Sequence, residues 1–338
     1  MILIAGGAGY IGSHTVLALR ERGDDVLVLD DFSEGHRAAL LGTPCVRGDL
    51  LDRDFVRGVF RGRSIEAVVH FAARCYVGES VRDPGKYYRA NVLGTLNLLE
   101  AMVEHGCRRI AFSSTCATYG EPTQIPIAED HPQHPINPYG ASKLTCERMM
   151  QDFVRAHDLD AIALRYFNAA GADPAGRLGE DHDPETHLIP LVIAAALGRR
   201  GEVDVFGDDY DTPDGTCIRD YIHVADLAAA HVLALDAMAE GHAGSRSFRA
   251  YNLGNEQGTS VLEVIRAVRA VAGREVPFRI VARRPGDPPR LVGSSQKIRA
   301  ELGWQPTLGS IDAIVRTAYA WHTQNPDGYV DPEADRAR

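Results

Sequence analysis

The first half of the chain alternates short apolar runs with longer stretches of helical periodicity. Apolar runs typical of buried strands lie at 1–5, 25–29, 45–50, 67–73, 109–113 and 161–166. Helix-like stretches lie between them at about 13–22, 52–60 and 84–105, and another begins near Tyr139. Strands that alternate with helices predict an α/β fold, a doubly wound parallel sheet covered by helices on both faces.

The stretch at 84–105 carries apolar residues at helical spacing. Val92, Leu96, Leu99 and Val103 recur every three or four positions. This periodicity predicts one buried stripe along the helix, whose simplest role is to cover the sheet.

Glycines follow the first apolar run in a pattern suited to a dinucleotide. Gly6, Gly9 and Gly12 stand between that run and a helix, and the next run is followed by Asp30, 24 positions after Gly6. Glycines let the backbone turn sharply and approach a pyrophosphate, which then faces the helix N-terminus. We therefore predict a Rossmann-type βαβ unit in which Asp30 binds the adenosine ribose and favours NAD over NADP.

Parallel strands bring their carboxyl ends to one edge of a sheet, where ligands bind. The predicted strand ends carry Gly6, Asp30, Asp49, Phe71, Thr115 and Asn168. We expect these residues to line one crevice, although Thr115 and Asn168 are also common turn formers.

Tyr139 and Lys143 lie four positions apart, so a helix would project both from one face. A tyrosine phenol has a pKa of about 10, and action as a base near neutrality requires a pKa roughly three units lower, about 4 kcal/mol. Lys143 and the positive ring of an oxidised nicotinamide would both favour the phenolate. Together with Thr115, the pair is interpreted as catalytic.

After Asn168 the sequence becomes rich in Gly, Pro, Asp and His. Helical stretches at about 187–199, 224–238, 260–272 and 310–323 then alternate with short strands near Val203, Ala250 and Pro277. We predict an NAD-binding domain at 1–168, a smaller mixed α/β substrate domain mainly at 169–325, and a frayed tail at 326–338. Some later segments are expected to return to the first domain.

Composition narrows the class of protein. The 338 residues are 45% hydrophobic and 24% charged, with a net charge of -10, which disfavours a nucleic-acid partner because phosphates require clustered Lys and Arg. The chain opens without a basic n-region or a long apolar run, so a cytoplasmic protein that spans no membrane is expected. Six scattered cysteines without a Cys-x-x-Cys pair are interpreted as reduced thiols.

These motifs resemble the extended short-chain dehydrogenase/reductase superfamily. The resemblance narrows to the UDP-glucose 4-epimerase family over longer segments, which lie at 6–14, 112–120, 164–168 and 219–224. It extends from Met1 to about Tyr329. It implies a tightly held NAD and the reversible interconversion of UDP-galactose and UDP-glucose through a 4-keto sugar, a step of galactose metabolism and nucleotide-sugar supply.

The resemblance also implies roles for individual residues. Tyr139 would remove the proton of the sugar 4-hydroxyl. Thr115 would hydrogen-bond the 4-oxygen or relay the proton, and Lys143 would hold the nicotinamide ribose. The residues implied to contact NAD are Gly6, Gly9, Tyr10, Ile11, Gly12, Asp30, Asp49, Leu50, Phe71, Ala72, Ala73, Asn91, Tyr139 and Lys143. Those implied to contact the UDP-sugar are Thr115, Tyr139, Asn168, Leu188, Phe206, Arg219, Tyr221, Arg284, Asp287 and Leu291.

Two positions depart from the family pattern. Cys75 stands where some members carry a lysine near the cofactor phosphates, which puts tight retention of NAD in doubt. Leu291 stands where a tyrosine would restrict the space around the sugar 2-substituent, so UDP-N-acetylhexosamines are also expected as substrates.

Other functions remain open from the sequence. A UDP-pentose 4-epimerase shares the chemistry and much of the motif set. A 4,6-dehydratase would need an acid and base pair directly after Thr115, where this chain has Cys116 and Ala117. A non-catalytic NAD-sensing protein would be expected to lose Tyr139 or Lys143. The family also implies a homodimer, in which the stripe at Val92 would pair with the Tyr139 helix.

Several acidic and histidine residues lie close together at 181–187 and are metal ligands by type. Their spacing fits no zinc pattern, so no metal is predicted.

Overall fold

The computed structural model describes residues 1–240, 247–284 and 287–331. Its largest sheet has seven parallel strands in the order β11-β6-β5-β4-β1-β2-β3. These are β1 (Ile2–Ala5), β2 (Val26–Asp30), β3 (Cys45–Arg47), β4 (Ala67–His70), β5 (Arg109–Thr115), β6 (Asp160–Tyr166) and β11 (Phe248–Leu253). The predicted α/β, doubly wound fold is confirmed.

The other strands of the described residues form three smaller sheets. They contain β7 (Asn168–Ala170), β8 (Val203–Phe206), β9 (Ile218–Arg219), β10 (Tyr221–His223), β12 (Thr259–Ser260), β13 (Phe278–Val281) and β14 (Arg290–Leu291). The pairs are β10 with β7, β13 with β8, and β12 and β14 on either side of β9.

Eleven α-helices lie within the described residues. They are α1 (Tyr10–Arg22), α2 (Arg53–Phe60), α3 (Val77–Arg82), α4 (Pro84–Tyr87), α5 (Gly94–Glu104), α6 (Pro138–His157), α7 (Leu188–Ala196), α8 (Val224–Ala239), α9 (Val261–Ala272), α10 (Gln296–Leu302) and α11 (Ile311–Gln324). Helices α1 and α8 cover one face of the main sheet, and α2, α5 and α6 cover the other. A separate apolar core unites α7, α9, α11 and β8.

The strand predicted near Ala250 belongs to the main sheet. It forms β11 and pairs with β6 at the edge of the main sheet, with Ala250 opposite Ala163. The chain therefore leaves the sheet after β6 and returns to it about eighty residues later.

The long helix predicted at 84–105 is interrupted. Residues Tyr88–Leu93 form a π-helical segment between α4 and α5. Leu99 is fully buried, and Val92 and Val103 are partly buried and pack against the same apolar core. Leu96 is partly exposed, so the predicted buried stripe holds for three of its four members.

Two buried polar side chains of α5 accompany the fully buried Leu98 and Met102. Thr95 contacts His70 (2.9 Å), and Asn97 donates to the carbonyl of Leu50 (2.8 Å).

Part of the predicted tail makes specific contacts. Asp331 accepts a hydrogen bond from the Ala38 backbone (2.8 Å) and lies 2.7 Å from His36 Nδ1. Tyr329 packs against His36 and Trp321, with ring centroids 5.1 and 5.2 Å away. Residues 332–338 of the predicted tail lie outside the described residues.

Across residues 1–240, 247–284 and 287–331, no helix combines the length and the apolar character needed to cross a membrane.

Candidate active site

The glycine turn between β1 and α1 is shaped by close backbone packing at two of its three glycines. A Cβ on Gly6, which has a φ of +80°, would lie 2.4 Å from the backbone nitrogen of Ala72. A Cβ on Gly12 would lie 2.2 Å from the carbonyl oxygen of Gly6. Any side chain at these positions would force the turn apart.

Gly9 differs from these two residues because the packing of the protein does not require a glycine at this position. The nearest atom to a Cβ on Gly9 would be the Gly6 oxygen at 3.6 Å, an ordinary contact. Gly9 caps α1, whose first turn carries no acidic residue. The open N–H groups at this helix end suit an anion such as a pyrophosphate, and a bare backbone at Gly9 lets it approach closely.

Asp30 ends β2 beside this turn and is 7% exposed. Its carboxylate accepts hydrogen bonds from the backbone of Ala8 (2.9 Å) and Phe32 (2.8 Å). Burial nevertheless raises the pKa of Asp30 to about 6. Each oxygen retains acceptor capacity for a ribose hydroxyl, as the sequence predicts.

The other residues predicted to contact NAD lie at neighbouring strand ends. Phe71, Ala72 and Ala73 follow β4 and are partly exposed, whereas Leu50 is buried and would touch a Cβ on Gly94. Asp49 accepts from the Leu51 backbone (2.9 Å). On the turn itself, Tyr10 donates to the Gly171 carbonyl (2.6 Å), and Ile11 is partly exposed.

Asn91 has a structural use that the sequence did not reveal. Its amide oxygen accepts from the Arg74 backbone (2.8 Å), and its amide nitrogen donates to the Arg74 carbonyl (3.0 Å) and to Ser142 Oγ (2.9 Å). Asn91 therefore ties the segment after β4 to α6, and it has no amide hydrogen left for a ligand.

Tyr139 and Lys143 lie in the first turns of α6. Asn137 caps this helix by accepting from the Gly140 backbone (2.8 Å), and Pro138 occupies its first position. The Lys143 ammonium donates to the Ser113 carbonyl (2.8 Å) and lies 4.7 Å from the centre of the Phe112 ring. The lysine is thereby held against β5, the strand that ends at Thr115.

The protein surroundings oppose ionisation of both groups. Burial raises the pKa of the Tyr139 phenol well above its usual value, and a hydrogen bond with Thr115 offsets only part of this effect. Burial also lowers the pKa of Lys143, to about 8. Burial therefore dominates the pKa of Tyr139 in the protein alone. A further positive charge beside the phenol is needed.

A buried ion pair joins α6 to the main sheet. Arg165 on β6 and Glu147 on α6 are 4% and 0% exposed and form two hydrogen bonds, at 2.9 and 2.5 Å. Ser114 donates to the same carboxylate (2.5 Å). Glu147 follows Lys143 by one helical turn, so the pair fixes α6 against β5 and β6. Sequence spacing could not pair residues that lie 18 positions apart on different elements.

The residues predicted to bind the UDP-sugar form several local contacts. Arg219 donates to Asp287 (2.9 Å) and to the Pro288 carbonyl (2.9 Å), and the Arg284 guanidinium lies 3.8 Å from the centre of the Phe206 ring. Both arginines thus have a fixed neighbour on a segment distant in sequence.

The remaining predicted substrate residues are placed by strand pairing and packing. Tyr221 pairs with Asn168 across β10 and β7, and Leu291 pairs with Arg219 across β14 and β9. Leu291 also packs on the small apolar cluster of Tyr119, Ile127 and Phe167, as does Cys116, which follows Thr115. Leu188 is the partly exposed first residue of α7.

Asp220 was not predicted as a site residue, yet it organises this region. It is fully buried and accepts backbone hydrogen bonds from Asn255 (2.7 Å), Glu256 (3.3 Å) and Gly293 (3.2 Å). Burial raises its pKa to about 6. Asp220 therefore holds two segments, at 255–256 and at Gly293, beside the neighbouring Arg219.

Most of the chain matches a known protein family. The family described as "NAD dependent epimerase/dehydratase family" matches residues 2–254. A UDP-glucose 4-epimerase of Halalkalibacterium halodurans is 52% identical over 336 residues, which cover 99% of each chain.

Solved structures give the same comparison in three dimensions. The structure of UDP-glucose 4-epimerase from Brucella ovis in complex with NAD has a TM-score of 0.91 at 49% identity and covers 95% of this chain and 98% of that one. The enzyme from Bifidobacterium longum in complex with NAD+ and UDP has a TM-score of 0.91 at 40% identity, over 97% and 99% of the two chains.

Proposed function

We propose that this chain, which belongs to the NAD dependent epimerase/dehydratase family and within it to the UDP-glucose 4-epimerases, interconverts UDP-glucose and UDP-galactose. The reaction is a reversible, NAD-dependent inversion at sugar carbon 4 through a 4-keto intermediate. The observation that carries this proposal is the placement of Tyr139 and Lys143 one turn apart on α6, beside the end of β5 at Thr115.

NAD fits the residues present. Gly9 opens the N-terminus of α1 to a pyrophosphate, and Asp30 offers a carboxylate to ribose hydroxyls. When bound, NAD supplies a reversible acceptor for the hydride of sugar carbon 4, and the positive charge of its oxidised ring favours the Tyr139 phenolate.

Tyr139 is the proposed acid and base. As phenolate it takes the proton of the 4-hydroxyl. As phenol it returns a proton to the 4-oxygen after the keto sugar has rotated to present its other face. Thr115 is the proposed hydrogen-bond partner of the same oxygen. Lys143 holds the nicotinamide ribose, and its contact with the Ser113 carbonyl fixes its position.

Arg219 and Arg284 are the proposed partners of the substrate pyrophosphate, because a chain of net charge -10 needs local cations to hold an anion. Leu291 is smaller than tyrosine and supports acceptance of a bulkier 2-substituent. UDP-N-acetylglucosamine is therefore a proposed additional substrate.

The pure protein, mixed with UDP-galactose and no added NAD, tests this function. UDP-glucose should accumulate without net reduction of cofactor, and a need for added NAD would point to weak retention at Cys75. A panel with UDP-xylose and UDP-N-acetylglucosamine measures the substrate range. Formation of a 4-keto-6-deoxy sugar, or binding without turnover, would contradict the proposal.

We further propose a cytoplasmic homodimer. Val92, Leu96 and Val103 of the α5 region and Met149 and Phe153 of α6 leave apolar surface partly exposed, which supports pairing of these two helices between copies. Light scattering on Leu96→Glu should give a monomer where the parent chain gives a dimer; a parent chain that is already monomeric would contradict this proposal.

The division into an NAD-binding domain at 1–168 and a mainly substrate-binding domain at 169–325 also remains our proposal. The separate apolar core of α7, α9 and α11 supports it. Limited proteolysis that cuts first near 169–187 would agree with it.

A further inference from the structure

An ion pair connects the two loops that flank the glycine turn. Glu34 lies four residues after the end of β2, and Arg74 lies four residues after the end of β4. The Arg74 guanidinium donates to one oxygen of the Glu34 carboxylate, and the Tyr76 hydroxyl donates to the other oxygen (3.3 Å). Neither Glu34 nor Arg74 is among the residues predicted to contact NAD. We propose that this pair, which we call the Glu34–Arg74 strap, closes over bound NAD and slows its release.

The strand order places the strap at the glycine turn. Strand β1, which leads into the turn, lies between β4 and β2 in the main sheet. A contact between the loop after β2 and the loop after β4 therefore crosses the end of β1. NAD has to make the same crossing, since its adenosine ribose is assigned to Asp30 at the end of β2 and its nicotinamide ribose to Lys143 beside β5. The pyrophosphate would thus lie between the N-terminus of α1 and the strap.

The backbone is fixed at both ends of the strap. On one side, the His36 backbone donates to the Ala8 carbonyl of the glycine turn (3.0 Å), and a Cβ on Gly35 would lie 2.7 Å from the Ala8 carbonyl carbon. On the other side, the Asn91 side chain holds both the N–H and the carbonyl of Arg74. Because both loops are tied down, opening of the cleft depends on the two long side chains of the strap.

The exposure of the strap allows it to open and close. The Arg74 and Glu34 side chains are 22% and 32% exposed. An ion pair that water reaches in this way is only modestly stable and is weakened by salt. Arg74 also neutralises the Glu34 carboxylate, which would otherwise repel a pyrophosphate at this place. Loss of Arg74 should therefore weaken NAD retention more than loss of Glu34.

The rate of NAD release tests this inference, which rests on the proposed NAD-dependent function. The full-length protein is loaded with NAD and freed of unbound cofactor, and the NAD that remains bound is measured over time. Release from Glu34→Gln should be about fivefold faster than from the parent, and release from Arg74→Met should be faster still. High salt should accelerate release from the parent and not from Arg74→Met.

Two further variants separate the strap from general damage to the fold. Lys86→Met is the matched control, because Lys86 pairs with Glu79 (2.6 Å) at a similar exposure, within the α3–α4 segment rather than across the glycine turn. It should release NAD at the parent rate. The double variant Glu34→Arg with Arg74→Glu restores an ion pair with its charges exchanged and should return release toward the parent rate.

Two results would overturn the strap. Slower release from Glu34→Gln than from the parent would mean that Arg74 leaves Glu34 in order to bind the pyrophosphate. Equal release rates for the parent and Arg74→Met would mean that the ion pair does not restrain NAD. Either result would leave the proposed epimerase function intact, because conversion of UDP-galactose by the parent tests that function separately.

Discussion

At the scale of single residues, Tyr139 and Lys143 occupy an environment that disfavours their charged forms. Burial raises the pKa of the phenol and lowers that of the ammonium. Perturbation of this kind is frequent where groups are placed for chemistry rather than for stability. The two residues should therefore affect activity and stability differently.

Tyr139→Phe tests the chemical role. The variant lacks the only proposed proton acceptor, so kcat should fall by about 10²–10⁴-fold. Binding of NAD and UDP, measured by calorimetry, should stay within a few-fold of the parent. A variant that keeps full turnover would rule out Tyr139 as the base.

Lys143→Met tests the cost of the buried charge. The pKa of Lys143 in the folded protein, about 8, lies below the ordinary lysine value of 10.5, so the unfolded chain binds more protons between these values. The stability of the parent should then rise with pH from about 8 to 10.5 through this group. The methionine variant lacks this group, so the free energy of unfolding of the parent should gain about 3 kcal/mol on that of the variant between pH 8 and pH 10.5.

Chemical denaturation at several pH values measures that difference. Lys297→Met, at a partly exposed lysine, is the matched control. Its difference from the parent in the free energy of unfolding should not change with pH in this way. A constant difference between the parent and Lys143→Met across pH 7–10.5 would contradict the assignment.

At the scale of elements, the position of α6 depends on its buried ion pair. Glu147→Gln would leave the Arg165 guanidinium charged and without its partner, which typically costs about 3–5 kcal/mol. Asp152→Asn breaks an exposed pair on the same helix, whose side chains are 74% and 75% exposed, and should change the free energy of unfolding by less than about 0.5 kcal/mol. Urea denaturation of both variants distinguishes these expectations.

Substitutions at two glycines of the turn should affect different properties, stability at Gly12 and NAD binding at Gly9. Gly12→Ala places a Cβ 2.2 Å from a backbone oxygen and should lower the free energy of unfolding by about 3 kcal/mol. Gly9→Ala meets only an ordinary contact at 3.6 Å, so stability should change by about 1 kcal/mol or less. NAD affinity should nevertheless fall at least about tenfold in the Gly9 variant, as measured by calorimetry. Unchanged affinity would place the pyrophosphate elsewhere.

At the scale of the whole molecule, residues near the end of the described chain secure the first part of it. Tyr329 packs between His36 and Trp321, and its hydroxyl lies 2.9 Å from the Gly179 backbone nitrogen. Tyr329→Ala should lower the free energy of unfolding by about 2–4 kcal/mol, whereas the exposed Asp327→Ala should have little effect. Equal melting temperatures for the two variants would contradict this role.

The sequence reveals most of what depends on local patterns. The order of strands and helices, the glycine turn and the spacing of Tyr139 and Lys143 all follow from periodicity or short motifs. Asp220 and the Glu147–Arg165 pair do not, because their roles depend on partners brought together only by the folded chain. The buried polar residues of α5 could not be predicted either, since they make hydrogen bonds that no hydropathy pattern encodes.

The return of β11 to the edge of the main sheet has a consequence for synthesis of the protein. Every residue of β6 is buried, and its outer edge pairs with residues 248–253. A nascent chain that has not yet released this segment carries β6 as an unpaired apolar edge strand, which is a template for association with other chains. The interval between completion of β6 and arrival of β11 at the ribosomal exit is therefore the period in which this protein most needs a chaperone.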